Sequence, residues 1–341
     1  MKRRMICLAL SLCLLLTACG GREDGGGQAS FLGRAAELEE TAALVTVGGR
    51  EVPAWRYLYW LAYTCDRVRD QYRDAGLPLD WKAPVTGGTL ADYARDQALA
   101  DTALYATVEN WAAEYGCALD EADRETLAAD WAEKTAAGEE AYLARLRALG
   151  LDRQRAEELA AVGLLYAKLY RLYETEGSPL APDPEALRAF ETERGELTVD
   201  RILIAAGEDR ESARQRAAVA FSQLNGAADQ AEAFSALAAA GDDTAGPRTL
   251  TAGDGTLDPA LEEAAAALAE GQCSGILESP EGFSILRRLP GDTAAVREAY
   301  FDRLLTDAAK AAAVDTAEAY GDLEIPRFYE RLESLRAAEE P

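Results

Sequence analysis

Two segments with strand-like patterns, Leu197–Ile204 and Gly282–Arg287, lie inside a chain whose other long stretches carry helical periodicity. Strands so placed form a small sheet, and a sheet needs other elements against its faces to bury its apolar side chains. The pattern therefore predicts an α+β fold that is mainly helical and contains one small strand-bearing segment.

Helical signals dominate the chain before residue 196. Apolar residues recur at helical spacing in Trp55–Tyr72, and Thr89 with Asp92 marks the start of a long helix that ends at Gly116. A short hairpin is predicted in Ala42–Val52. Further helices are predicted at 120–135, 139–149, 152–176 and 183–194, and after the strand-containing segment at 292–320 and 325–338.

The N-terminus has the features of an export signal. Lys2, Arg3 and Arg4 precede an apolar run from Met5 to Leu16, which is too short for a dependable membrane span. Small residues and then Cys19 follow, as in a bacterial lipobox, so residues 1–18 are predicted to be a lipoprotein signal peptide and Cys19 the lipidated residue. An ordinary secretory signal followed by a cysteine by chance is the alternative. Residues 19–40 are predicted to be a flexible tether, glycine-rich at its start.

The charge balance excludes some partners. The chain has 60 acidic and 35 basic residues, which gives a net charge of −25 at pH 7. Such a surface lacks the cations that displace counterions from nucleic acid or bind anionic lipid headgroups. Nucleic acid is therefore not an expected partner, and contact with the membrane is expected through the lipid on Cys19.

The chain contains no histidine. Apart from the signal and Cys19, the cysteines are Cys65, Cys117 and Cys273, and no CxxC pair is present. Zinc sites use clustered cysteines and histidines, so no metal and no cofactor is expected. The three thiols are predicted to be free and to pack as small hydrophobic groups.

The strand-containing segment resembles a parvulin-type (PpiC or rotamase) peptidyl-prolyl isomerase domain. The resemblance lies in the strand Leu197–Ile204, the stretch Leu257–Ala264, the turn Leu268–Gly275 and the strand Gly282–Arg287. With its helical flanks and lipobox, the chain resembles the extracytoplasmic foldase lipoproteins of the PrsA and SurA type. The resemblance implies a helical N-terminal domain at 41–195, a parvulin-like domain at 196–290, and C-terminal helices at 291–341 that pack on the N-terminal domain.

The resemblance also places the site, with departures from the family pattern. Arg201 and Ser284 stand where the family has histidines, and Asp243 is the preferred match to a family Cys or Asp. As a turn carboxylate after Gly241, Asp243 is expected to be solvated rather than catalytic. Leu257 and Leu261 match the spacing of the residues that seat the proline ring. Phe283 either lies near these leucines, as a third substrate-binding residue, or packs under the sheet.

These features imply a membrane-anchored extracytoplasmic foldase that assists exported proteins, with strongly reduced peptidyl-prolyl cis-trans isomerase activity. The alternative is an inactive holdase chaperone that only binds unfolded or partly folded polypeptides. For the tryptophans of the N-terminal half, core packing is favoured over an aromatic groove for unfolded clients. These tryptophans are Trp55, Trp60, Trp81, Trp111 and Trp131.

Overall fold

The computed structural model describes residues 30–243, 245–251, 255–291 and 294–338. The signal peptide and Cys19 lie outside these ranges. The chain divides into two compact units, one containing the residues up to Ala181 together with those from Asp302 onward, the other containing Pro182–Phe301. Within the described ranges, no helix combines the length and the apolarity that a membrane span requires.

Helices make up most of the first unit and nearly half of the second, and the α+β prediction is confirmed. The helices are α1 Phe31–Ala36, α2 Ala54–Asp74, α3 Leu90–Glu114, α4 Glu121–Thr135, α5 Glu139–Ala148, α6 Arg153–Glu174, α7 Pro184–Arg194, α8 Arg210–Gly226, α9 Gln230–Ala239, α10 Pro259–Ala267, α11 Ala294–Ala311, α12 Glu318–Gly321 and α13 Ile325–Ala337. The strands are β1 Ala43–Val47, β2 Arg50–Pro53, β3 Pro84–Val85, β4 Gly88–Thr89, β5 Glu196–Ala205, β6 Arg248–Thr251, β7 Leu277–Ser279, β8 Gly282–Arg288 and β9 Val314–Thr316.

Side-chain caps begin α3 and α4 of the first unit at the predicted residues, Thr89 and Asp120. The Thr89 hydroxyl accepts a hydrogen bond from the backbone N–H of Asp92, and the Asp92 carboxylate accepts one from the backbone N–H of Thr89. Asp120 and Asp123 form the same reciprocal capping box on α4. Each box satisfies backbone donors that a helix leaves without a partner at its first turn.

The first unit contains a three-stranded sheet in the order β2-β1-β9. The predicted hairpin forms β1 and β2. The prediction of continuous helix over 292–320 is wrong, because residues 314–316 form β9, which pairs antiparallel with β1. β1 would otherwise expose an unpaired edge, and the β-branched residues Val314 and Thr316 suit a strand there. α13 packs against α1 and α3 in the same unit.

The end of the predicted tether is folded. Residues 31–36 form α1, whose Phe31 and Leu32 are buried. The buried Glu40 carboxylate accepts hydrogen bonds from the backbone N–H groups of Ser30 and Gly33 and from the Arg155 guanidinium. The prediction of a flexible tether over residues 19–40 is therefore wrong for the end of that range that the structure describes, from Ser30 onward.

The second unit is built on an antiparallel sheet in the order β6-β5-β8-β7. α8 and α9 cover one face of this sheet, and α10 packs against the other. The unit extends beyond the predicted range 196–290 and includes α7, whose Leu187 and Phe190 pack against Val296 of α11.

Candidate functional site

The register of β5 and β8 decides which side chains share a face of the second unit's sheet. Leu203 pairs with Ser284, and Arg201 pairs with Leu286. Because successive strand residues point to opposite faces, these four side chains lie on the face that α10 partly covers. This face contains both positions at which the family resemblance places histidine.

Phe283 lies on the opposite face. It is buried with Ile202, Ile204 and Ile285 against α8 and α9. Its separation from the two leucines follows from the strand period, since a neighbour of Ser284 in β8 must point away from the Ser284 face. The structure therefore removes Phe283 from a substrate seat formed by Leu257 and Leu261, and favours the alternative of packing under the sheet.

Leu257 and Leu261 lie together on the α10 side of the sheet. Leu257 is 7% exposed and Leu261 is 1% exposed, because both pack against Val199, Leu250 and Leu286. They form an apolar layer between α10 and the sheet. A proline ring would reach this layer only if neighbouring groups moved, so substrate binding by these leucines stays a prediction.

The loop after α9 brings Asp243 to Arg201. β6 pairs only with residues 196–199 of β5, which leaves backbone groups of later β5 residues without a strand partner on that edge. The Asp242 backbone N–H donates to the carbonyl of Leu203 at 2.8 Å, and the Asp242 carboxylate accepts from the backbone N–H of Ala205 at 2.8 Å. Since Asp242 is fixed along this edge, the next residue reaches the Arg201 side chain.

Arg201 and Asp243 form a buried ion pair. Arg201 Nε donates to Asp243 Oδ2 at 2.7 Å, and the two side chains are 9% and 8% exposed. Arg248 Nη2 lies 2.7 Å from both Asp243 oxygens, and Arg201 Nη1 donates to Glu281 Oε2 at 2.8 Å. Asp243 is thus a buried ion-pair partner, and the expectation of a solvated turn carboxylate is wrong. These four residues are called the Arg201 ion network below.

The charges of the Arg201 ion network balance. Burial alone would raise the pKa of Asp243, but the backbone N–H of Ala245 and the guanidinium groups of Arg201 and Arg248 together hold the pKa of this carboxyl below its usual range. Asp243 therefore stays charged at neutral pH. An arginine cannot be neutral in a protein, so its burial here depends on these carboxylates.

Ser284 lies on the same face but takes no part in the network. Its side chain is fully buried, and its hydroxyl has no hydrogen-bond partner within the described ranges. Ser279, also buried, has an unpartnered hydroxyl in the same part of the structure. Neither hydroxyl is exposed to a chain that approaches from solvent.

Arg248 and Glu281 were not among the residues that the sequence singles out. A buried arginine surrounded by apolar residues needs compensating charge, and this requirement was the available signal. It indicates that partners exist, but Arg248 and Glu281 are distant from Arg201 in sequence, so the signal does not identify them.

Other reactive groups are scarce in the described part of the chain. No group of His, Cys, Asp and Glu side chains there has the geometry to hold a metal ion. Cys65, Cys117 and Cys273 are free thiols. Cys65 is buried, whereas the other two are half-buried, and burial raises the pKa of the Cys273 thiol. A raised thiol pKa lowers reactivity, so Cys273 does not suit nucleophilic chemistry.

Residues 182–289 match the family model of the PPIC-type PPIASE domain. This segment contains the sheet, α8 to α10, the Arg201 ion network, and also α7, which lies before the predicted range 196–290. The match confirms the parvulin-type domain expected from the strand and turn patterns. No match is found among curated proteins.

Several solved structures are similar to the chain at low identity. PrsA from Bacillus cereus is 12% identical, over 89% of this chain and 94% of that chain, with a TM-score of 0.24. PrsA from Streptococcus pneumoniae is 15% identical over 74% and 92%, with a TM-score of 0.23. A structure from a study of the SurA-like chaperones PEB4 and Cj1289 of Campylobacter jejuni is 11% identical over 81% and 99%, with a TM-score of 0.24. At such low TM-scores the whole-chain similarity carries no weight for function.

Proposed function

We propose that this chain, which carries a PPIC-type peptidyl-prolyl isomerase domain over residues 182–289, is a membrane-anchored extracytoplasmic chaperone that assists the folding of exported polypeptides. The domain match supports a role in protein folding. The export signal and lipobox at Cys19 support attachment outside the cytoplasm. The acidic composition fits a soluble body that does not bind nucleic acid.

The Arg201 ion network is the observation that favours binding over catalysis. Rotation about an X-Pro bond must overcome about 18–20 kcal/mol, and a catalyst lowers this barrier with polar groups matched to the twisted amide. Here the Nε and Nη1 donors of Arg201 are held by carboxylates, and Ser284 is fully buried. The chain is therefore proposed to bind extended polypeptides and to isomerise them slowly if at all.

An isomerisation assay on the full chain tests this proposal. A proline-containing peptide is converted from cis to trans with increasing amounts of protein, and a parvulin that has both histidines serves as the positive control. The expected rate stays close to the uncatalysed rate, which corresponds to tens to hundreds of seconds. A concentration-dependent acceleration comparable to that of the positive control would instead establish an isomerase.

Chaperone activity is measured separately, with an unfolded client that contains few prolines. The full chain is expected to suppress aggregation of this client at near-stoichiometric ratios, because the effect needs binding and no isomerisation. If the full chain neither suppresses aggregation nor accelerates isomerisation, the proposed function is wrong.

The lipid anchor is tested through Cys19. Expression of the precursor in a bacterium with radiolabelled fatty acid should label the protein and place it in the membrane fraction. Cys19→Ser should remove both the label and the attachment. Release of unlabelled wild-type protein would instead support the ordinary secretory signal.

A further inference from the structure

Aromatic side chains cluster where α2 and α3 pack together in the first unit. Trp60 lies at its centre, with ring centroids 5.0 Å from Tyr59, 5.9 Å from Tyr63 and 4.7 Å from Tyr105. Tyr63 is 46% exposed and Tyr93 is 37% exposed. These five residues are called the aromatic strip below. Trp55 and Trp131 are buried in the core, so the expectation of core packing holds for those two tryptophans but not for Trp60, which is half-buried.

The strip follows one face of α3. Tyr93, Gln97, Asp101 and Tyr105 are spaced four residues apart, and this spacing places their side chains on one side of a helix. The twelve helical steps from Tyr93 to Tyr105 span about 18 Å. An extended polypeptide rises about 3.3 Å per residue, so the strip matches a segment of roughly five or six residues.

Asp101 places a negative charge within this aromatic surface. Its half-buried carboxylate accepts a hydrogen bond from Gln97 Nε2 at 3.2 Å, and within the described ranges no Lys or Arg side chain forms an ion pair with it. Burial raises the pKa of Asp101, and Gln97 and the more distant Arg67 lower it by less. The charge is therefore poorly compensated, and a ligand with a cationic group would compensate it.

Further carboxylates lie at one end of the strip. The β3–β4 hairpin and α3 form a groove that Asp92, Asp96 and Tyr93 line. Arg67 also lies at this end, with Nη2 3.4 Å from the Tyr93 hydroxyl. Arg95 Nη1 lies 3.9 Å from Asp92 Oδ1, so the carboxylates of Asp92, Asp96 and Asp101 outnumber the two cations Arg67 and Arg95. The aromatic rings also attract cations through their faces.

We propose that the aromatic strip binds extended polypeptide segments in which arginine or lysine lies beside apolar or aromatic residues. Asp101 receives the cationic group, and the rings of Trp60, Tyr63 and Tyr105 contact its aliphatic stem and the apolar neighbours. This inference rests on the proposed chaperone function and names the class of client segment that the first unit prefers. Charge complementarity selects this occupant over acidic segments.

The test uses the full chain and labelled unstructured peptides of equal length and equal aromatic content, which carry arginine, glutamine or glutamate at the same positions. Fluorescence anisotropy gives the Kd for the wild type, Asp101→Asn, Tyr63→Ser and the control Asp315→Asn. Asp315 is an exposed residue of β9 in the same unit, so its substitution removes the same charge away from the strip. Circular dichroism verifies that each variant is folded.

The arginine peptide should bind about tenfold more tightly than the glutamate peptide, as expected for an ion pair supported by cation–π contacts. Asp101→Asn should weaken the arginine peptide about fivefold to tenfold and the glutamine peptide by less than about twofold. Tyr63→Ser should weaken both peptides, and Asp315→Asn should change neither. Equal effects of Asp101→Asn and Asp315→Asn would show that overall charge acts rather than the strip, and would overturn the inference.

Two further outcomes also overturn it. If the strip binds a second copy of the chain, the wild type forms dimers with increasing concentration and Tyr63→Ser does not. If the peptides bind equally well whatever their charge, the strip does not select cations. Failure of the chaperone function is distinguishable, because the wild type would then bind the arginine peptide but not suppress client aggregation.

Discussion

Substitution of Asp243 by asparagine is the sharpest test of the Arg201 ion network. Asp243→Asn keeps the size of the side chain but removes the charge that compensates both Arg201 and Arg248. Removal of one partner from a buried ion pair costs roughly 3–5 kcal/mol, because the other charge stays buried. Glu281 still pairs with Arg201, but its side chain is 62% exposed, and pairs this exposed contribute about 0–1 kcal/mol. The expected loss is therefore about 3 kcal/mol.

Because of where the tryptophans lie, the unfolding of the two units can be followed separately. All five tryptophans lie between residues 55 and 131, so tryptophan fluorescence reports on the first unit alone. Urea unfolding is followed by far-UV circular dichroism, which reports on both units, and by amide hydrogen exchange in β5, which reports on the second unit alone. With a denaturant slope of about 1–3 kcal/mol per molar urea, the midpoint for the second unit should fall by about 1–3 M. The fluorescence transition should not move.

The pH dependence of the folding stability is an independent test of the Asp243 ion pair. The Asp243 pKa is lowered in the folded protein, so the carboxylate stabilises the fold above its unfolded pKa of about 3.9. This stabilisation is lost as the pH falls through the folded pKa. Asp243→Asn should remove that part of the acid dependence. The matched variant Glu281→Gln should cost less than about 1 kcal/mol. If Asp243→Asn costs no more than Glu281→Gln, the network does not hold the loop and the reasoning fails.

Three further substitutions test other features by urea unfolding and hydrogen exchange. Ser284→Ala should leave the second unit equally stable or stabilise it by up to about 1 kcal/mol, because an unpartnered buried hydroxyl costs about 1–3 kcal/mol. Gly282→Ala should prevent β5 and β8 from pairing, since at φ 149° the new Cβ runs into the carbonyl of Ile204; soluble, fully stable protein would refute this. Glu40→Gln should cost about 2–3 kcal/mol and speed exchange in α1, since Arg155 loses its buried carboxylate partner; unchanged exchange would contradict that role.

Local signals predict the helices well in this chain. The reciprocal pattern of Thr89 and Asp92 gives the start of α3 to the residue, because a capping box needs only side chains three positions apart. The start of α7 follows in the same way from Asp183 and the proline after it. The starts of these two helices depend only on residues close together in the sequence, so they can be predicted without knowledge of the tertiary fold.

Contacts between residues that are far apart in the sequence are harder to predict from the sequence. β9 is a three-residue strand whose formation depends on β1, which lies near the other end of the chain, and its own sequence has no strong strand pattern. The Arg201 ion network likewise joins four separate segments. The opposite faces of Phe283 and Ser284 were predictable, because adjacent residues of one strand always point to opposite sides. The placement of Phe283 beside Leu257 and Leu261 therefore conflicted with the placement of Ser284 at a site position.

The replacement of the two family histidines by Arg201 and Ser284 also alters the residues around those positions. A histidine in the sheet can be neutral and can both donate and accept a hydrogen bond. An arginine is always charged, so a buried one requires a carboxylate partner. Arg201 is therefore coupled to Asp243, and Asp243 is coupled to Arg248. Replacement of Arg201 by histidine alone would leave Asp243 held by Arg248 and would leave Leu257 and Leu261 buried under α10. Isomerase activity should consequently not return with that one substitution, because the polar groups and the apolar seat would both remain closed to a proline.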